Sequence, residues 1–384
     1  MSKLRTFLAV ITAALLAAGC GSGEQPRGGA AGSDASAELT VSTDGWETDF
    51  SRHSVPLGEF SSGGPPRDGI PPIDDPKFIA PAEAAKWLEA REPVIVVEDG
   101  DKARAYPHQI LIWHEIVNDE FAGRPIAVTY CPLCNSAVVF DRRVNDRTLR
   151  FGTTGNLRRS DLVMWDDATE SWWQQITGEA VVGELTGTDL SVLAAETLSF
   201  EQFRARHPQG EVLSRDTGNE RDYGRNPYEG YDDPDEQPFL LEDDADPRLP
   251  PKERVVSIIR GERAAVVAFS RLRRRPVAEV EVKGEPLVVL FATGVRSALD
   301  ASEISGSRDV GTAGAFAREL DGREVKLVPA GDGRFRDRAT GSVFDVSGRA
   351  VAGSLKGSRL RPAVHDLSFW FAVAAFRPDA RIVG

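Results

Sequence analysis

Cysteine is scarce in this 384-residue chain: three residues, at positions 20, 131 and 134, so any thiol chemistry beyond the N-terminal leader rests on one pair. No second Cys-x-x-Cys exists, which excludes a structural zinc site closed by two matching turns. Positive charge is also in deficit, with 46 Lys and Arg against 59 Asp and Glu, and the net charge of −13 argues against nucleic acid or anionic lipid as a partner. The longest apolar stretch of the leader, residues 7–18, is too short to span a bilayer. Hydrolase and nucleotide readings find no support, because the chain has no Gly-x-Ser-x-Gly elbow, His-Glu-x-x-His helix or phosphate loop.

What the chain does have is concentrated in residues 130–141, Tyr130-Cys131-Pro132-Leu133-Cys134-Asn135-Ser136 and the apolar run after it. β-Branched residues on both sides predict a strand, a tight turn and a second strand. A redox Cys-x-x-Cys that opens a helix, where the positive helix end lowers a thiol pKa, is a different context. The turn instead resembles the metal-binding knuckle of rubredoxins and zinc ribbons, Cys-Pro-x-Cys-Gly, with Asn135 at the position that needs positive φ. One knuckle supplies two ligands, and the nearby candidates for more are His108 and His114. Both fall in a short helix opened by Pro107, and their six-residue spacing, about 600° of rotation, puts them on different faces. The expected site is therefore Cys131, Cys134 and His114, with His108 second in line, Trp113 shielding it and Glu115 orienting the imidazole. Thiolate plus imidazole suits zinc or copper(I).

Residues 1–20 read as a leader: Lys3 and Arg5, an apolar core, then Ala17-Ala18-Gly19-Cys20. This resembles a bacterial lipoprotein signal, which implies a lipidated Cys20, export and a membrane-tethered, otherwise soluble protein. Export would put Cys131 and Cys134 in an oxidising compartment, where an unprotected pair becomes a disulfide or is held by metal. Residues 21–76 read as a flexible spacer followed by an extended arm, in which Trp46, Phe50, Val55, Leu57 and Phe60 are available to dock.

The remainder carries an internal repeat. A shift of 161 aligns residues 92–137 with 253–298 without a gap, pairing Gly100 with Gly261, Pro125 with Pro286 and Ser136 with Ser297. The expected architecture is an α+β fold, a tandem duplication of a mostly antiparallel β unit with short helices. Its first repeat is residues 77–208, an acidic connector is residues 209–251, and a degenerate second repeat is residues 252–384. His108 meets Phe269, His114 meets Arg275, Cys131 meets Ala292 and Cys134 meets Val295, so the ligand types are confined to the first repeat. The connector holds Arg221, Tyr223, Arg225, Tyr228 and Tyr231, whose hydroxyls and guanidinium groups suit a pocket, before an acidic run expected to be solvated.

The segments Leu111-Ile112-Trp113-His114-Glu115-Ile116-Val117-Asn118-Asp119, residues 130–141, Ser160-Asp161-Leu162-Val163-Met164-Trp165 and residues 221–231 resemble the shared motifs of an exported bacterial and archaeal family of unknown function. The resemblance runs from about Asp75 to the C-terminus and implies that Trp113, His114, Cys131 and Cys134 belong to one site. Three functions follow from the residues: a soft-metal site, a thiol-disulfide redox pair with an unknown redox or metal-delivery partner, and a ligand-binding or scaffolding lipoprotein with a structural disulfide.

Overall fold

In the computed structural model, which describes residues 39–241 and 244–384, most strands pair antiparallel and the α-helices are four to seven residues long. The leader, Cys20 and the first part of the spacer lie outside the described residues.

Each half opens with the same hairpin. The β-branched run Pro93–Asp99 pairs with Lys102–Pro107, and Arg254–Arg260 pairs with Arg263–Ala268. Both turns place glycine first, Gly100 at φ 58° and Gly261 at φ 59°, a conformation that only glycine adopts without cost. In the first sheet the order is Glu196–Ser199, Pro93–Asp99, Lys102–Pro107, Glu211–Leu213, then Phe78–Ile79. The counterpart runs Asp366–Phe369, Arg254–Arg260, Arg263–Ala268, Arg381–Ile382. In both, the fourth strand lies parallel to the third. A short helix follows each hairpin: His108–His114, entered through Pro107, and Phe269–Arg274.

The halves diverge at the thiol turn. Arg124–Cys131 pairs with Ser136–Asp141, with Cys131 opposite Ser136. Glu285–Ala292 pairs with Thr312–Ala317, with Ala292 opposite Thr312. The gap-free match of Ser136 with Ser297 and Cys134 with Val295 is thus corrected: residues 293–311 stand where residues 132–135 make a tight turn. Identical apolar periodicity on either side of a loop hides its length from a sequence comparison.

The arm is part of the fold from residue 39 on. Phe60–Ser62 adds an edge strand to Phe151–Arg158, and Trp46, Phe50 and Phe60 close on Trp172 with ring centroids 5.2–5.3 Å apart. Full burial of one such ring contributes about 1.5–3 kcal/mol, enough to keep the arm seated. The acidic run of the connector is largely exposed, as expected, with Asp233, Asp235, Glu236 and Asp244 open to solvent, but one of its carboxylates is buried. Asp232 is 1 % exposed and accepts from Arg254 at 2.8 Å and from Ser297 at 2.5 Å, with Arg308 at 2.8 Å from its other oxygen. Two guanidinium groups make this burial of a carboxylate tolerable and hold its pKa below the ordinary range despite desolvation.

The two halves grip one another through their turns. Asn135 Nδ2 donates to Leu367 O at 2.7 Å, the Phe369 N–H to Cys134 O at 2.9 Å and the Ala137 N–H to Asp366 Oδ1 at 2.9 Å. Thr312 Oγ1 donates in return to Thr197 O.

Candidate functional site

The thiol turn is built by strand ends. Cys131 closes its strand, the Asn135 N–H donates to Pro132 O at 3.2 Å, and Asn135 itself sits at φ 50°. Asparagine tolerates that left-handed conformation, and its amide is then free to bond Leu367. The backbone N–H of Cys134 donates toward the Cys131 sulfur, while Cys134 Sγ donates to Ser160 O at 3.5 Å.

Ser160 leads to the third member of the site. Phe151–Arg158 and Asp161–Asp166 pair with Arg158 opposite Asp161, so the turn between them is Arg159-Ser160, at φ 52° and 66°. Two consecutive left-handed non-glycine residues are strained, and the strain fixes Asp161 at the head of a fully buried strand whose four central residues are apolar. One carboxylate oxygen of Asp161 and the sulfurs of Cys131 and Cys134 lie within 4.8 Å of one another, and all three residues are buried. Asp161 Oδ2 accepts from Gln174 Nε2 at 2.6 Å and from the Ile176 N–H at 3.0 Å. Oδ1 has no hydrogen-bond partner among the described residues.

Burial dominates the electrostatics. It pushes both thiols up, Cys134 further than Cys131, whose sulfur is eased by the Cys134 donors. Burial also raises Asp161 to about 6, against the pull of Gln174 and Ile176. Glu115 is raised to about 8 by burial and by the neighbouring Asp161 charge. Cys131, Cys134 and Asp161 are therefore three acidic groups held together in a buried setting where an added cation would stabilise all of their charged forms.

The histidines stand elsewhere. Both ring nitrogens of His114 are taken, Nδ1 by Pro71 O at 2.7 Å and Nε2 by the Tyr223 hydroxyl at 2.6 Å. It anchors the arm and the connector, two segments that sequence spacing could not bring to it. His108 stacks on Tyr130 with centroids 4.4 Å apart, both nitrogens unpartnered and its pKa lowered by burial to about 3. At the corresponding positions of the second half, Phe269 and Phe291 meet edge to face with centroids 5.3 Å apart. Neither histidine belongs to the thiol-carboxylate group. The indole N–H of Trp113 is buried without a partner. Asp161 had been visible only inside the motif Ser160 to Trp165; an acidic residue leading the apolar run Leu162-Val163-Met164-Trp165 was the available signal.

Of the connector residues proposed as a pocket, Tyr228 and Tyr231 line a cavity of about 420 Å³ with Glu115 and Leu133 of the thiol turn. Tyr223 bonds His114 and Thr217. Arg221 and Arg225 are exposed, the latter pairing with Glu303 at 3.0 Å.

No curated protein and no solved structure is significantly similar to the chain. Residues 67–380 match one family throughout the described site and both halves, and the chain belongs to that family, described as Protein of unknown function (DUF3179).

Proposed function

We propose that Cys131, Cys134 and Asp161 hold a metal ion, with zinc favoured over copper. The observation that carries this is the mutual approach of two sulfurs and a carboxylate oxygen within 4.8 Å in a fully buried setting. A carboxylate in place of the expected imidazole hardens the donor set, which suits zinc better than copper(I). The N–H of Cys134 directed at the Cys131 sulfur supports a thiolate there, as a metal-binding knuckle requires. Three protein ligands leave one position of a tetrahedral ion for a water or a substrate, the arrangement of catalytic rather than structural zinc. We further infer that the two halves descend from a tandem duplication, supported by their shared strand order, and that the protein is exported and anchored to the cell-envelope membrane through lipidated Cys20.

A second reading has support of its own. Both cysteines are free thiols side by side, and Asp161 stands where it can accept a proton from either, so the pair suits thiol-disulfide exchange. Elemental analysis with a thiol count decides between the two. The metal reading expects about one zinc per chain, lost in Cys131→Ser and Asp161→Asn, with thiols that react only after chelation. Metal-free protein with a readily reduced disulfide selects the redox reading.

A further inference from the structure

We propose that the cavity beside the thiol turn is a binding site for a small, uncharged aromatic molecule bearing a hydroxyl group, held by the Glu115 carboxyl. Glu115 is the C-terminal cap of His108–His114, and its N–H bonds Leu111 O at 2.7 Å with the backbone at φ 58°. Glycine or asparagine is the usual occupant of that conformation. The residue that meets it in the second half is Pro276, whose ring holds φ at about −65°, so a carboxyl side chain is kept here at a backbone cost that the second half does not carry. The residue is 7 % exposed, lines the cavity, and its side chain makes no hydrogen bond or ion pair with another of the described residues. Its oxygens are not sealed in protein but open to the cavity, where a ligand hydroxyl takes over the hydrogen bonds that water would otherwise make.

The rest of the cavity fixes the class of ligand. Its walls come from the arm, through Pro65 and Ile70, and from the connector, through Tyr228, Tyr231 and Phe239. Neither segment has a counterpart in the second half, so the cavity is a feature of the first half alone. The aromatic walls and the volume of about 420 Å³ suit a ring compound. Lys252 at the lining would repel a cation, and its ammonium is already bound to Tyr231 O at 2.7 Å, with Glu236 at 3.7 Å. Glu115 and Glu236 together disfavour an anion. A hydroxyl both donates and accepts, so it satisfies the Glu115 carboxyl in either protonation state. The site does not depend on the metal, since Glu115 lies outside the thiol-carboxylate group.

Isothermal titration of the whole protein with 4-ethylphenol, with and without prior chelation, tests this. The expected dissociation constant is about 0.1–1 mM from the usual ligand efficiency of so small a molecule. Glu115→Leu is expected to weaken binding about tenfold, the loss of one hydrogen bond, while Glu115→Gln stays within about threefold because its amide still bonds the hydroxyl. Ile70→Trp, which fills the cavity from the arm, is expected to abolish it. Absence of heat up to about ten times that range, or affinity for ethylbenzene equal to that for 4-ethylphenol, overturns the proposal. Equal binding by wild type and both folded variants at Glu115 does the same.

Discussion

Ala137 and Asp366 are 229 residues apart, yet the Ala137 N–H donates to Asp366 Oδ1 at 2.9 Å. The contact seats the strand that follows the thiol turn on the second half, which thereby does more than fill space. Removing the carboxyl in Asp366→Ala strands a half-buried N–H, an expected loss of about 1 kcal/mol in urea denaturation. It also loosens the turn, so Cys131 and Cys134 are expected to react faster with a thiol reagent than in wild type. Unchanged stability together with unchanged thiol kinetics would refute the role given to this contact.

The pH dependence of stability carries a definite sign. Glu115, raised from 4.5 to about 8, and Glu196, raised from 4.5 to about 7, keep their protons in the folded chain after the unfolded chain has lost them. The folded state then binds more protons, so stability falls as pH rises toward those values. The neutral histidines, His108 buried and His207 half-buried, lowered from 6.5 to about 3 and about 4, act the opposite way below 6.5. Between pH 6.5 and 8 the carboxyls decide. Metal-free protein is expected to lose stability across that window, and Glu115→Gln to remove up to about 1.4 kcal/mol per pH unit of the loss. Denaturation curves for the two proteins at pH 6.5 and 8 check it; identical slopes count against it.

His108 gives a test in the other direction. Its ring occupies the place of Phe269 and leaves two nitrogens unsatisfied, so His108→Phe is expected to raise stability by about 1–3 kcal/mol. Metal content should not change, since the imidazole is outside the thiol-carboxylate group. A variant that loses its metal while remaining folded would restore His108 as a ligand.

Local signals were legible in the sequence and long-range ones were not. The knuckle turn with Asn135 in the left-handed region, the helix after Pro107 and the paired hairpins at Gly100 and Gly261 follow from a few adjacent residues each. Asp161 reaches the thiols only because an irregular pairing of Phe151–Arg158 with Asp161–Asp166 ends in a strained two-residue turn, which no periodicity announces. The equivalent hairpin of the second half, Leu327–Gly331 with Arg334–Asp337, is shorter, so the repeat itself gave no hint of it. The histidines misled for a related reason. His114 is drawn away by Pro71 and Tyr223, one on each side of it in the chain and both distant.

The bonds from residues 366–369 to the thiol turn also order events in time. A ribosome delivers the chain from its N-terminus, so Cys131 and Cys134 emerge more than 200 residues before the strand Asp366–Phe369 that closes over them. Until then the turn lacks three of its hydrogen bonds, and its thiols stand open to oxidants and to stray metal. A native site accordingly cannot close before residues 366–369 have been made and docked, and any truncation before Phe369 leaves it permanently ajar.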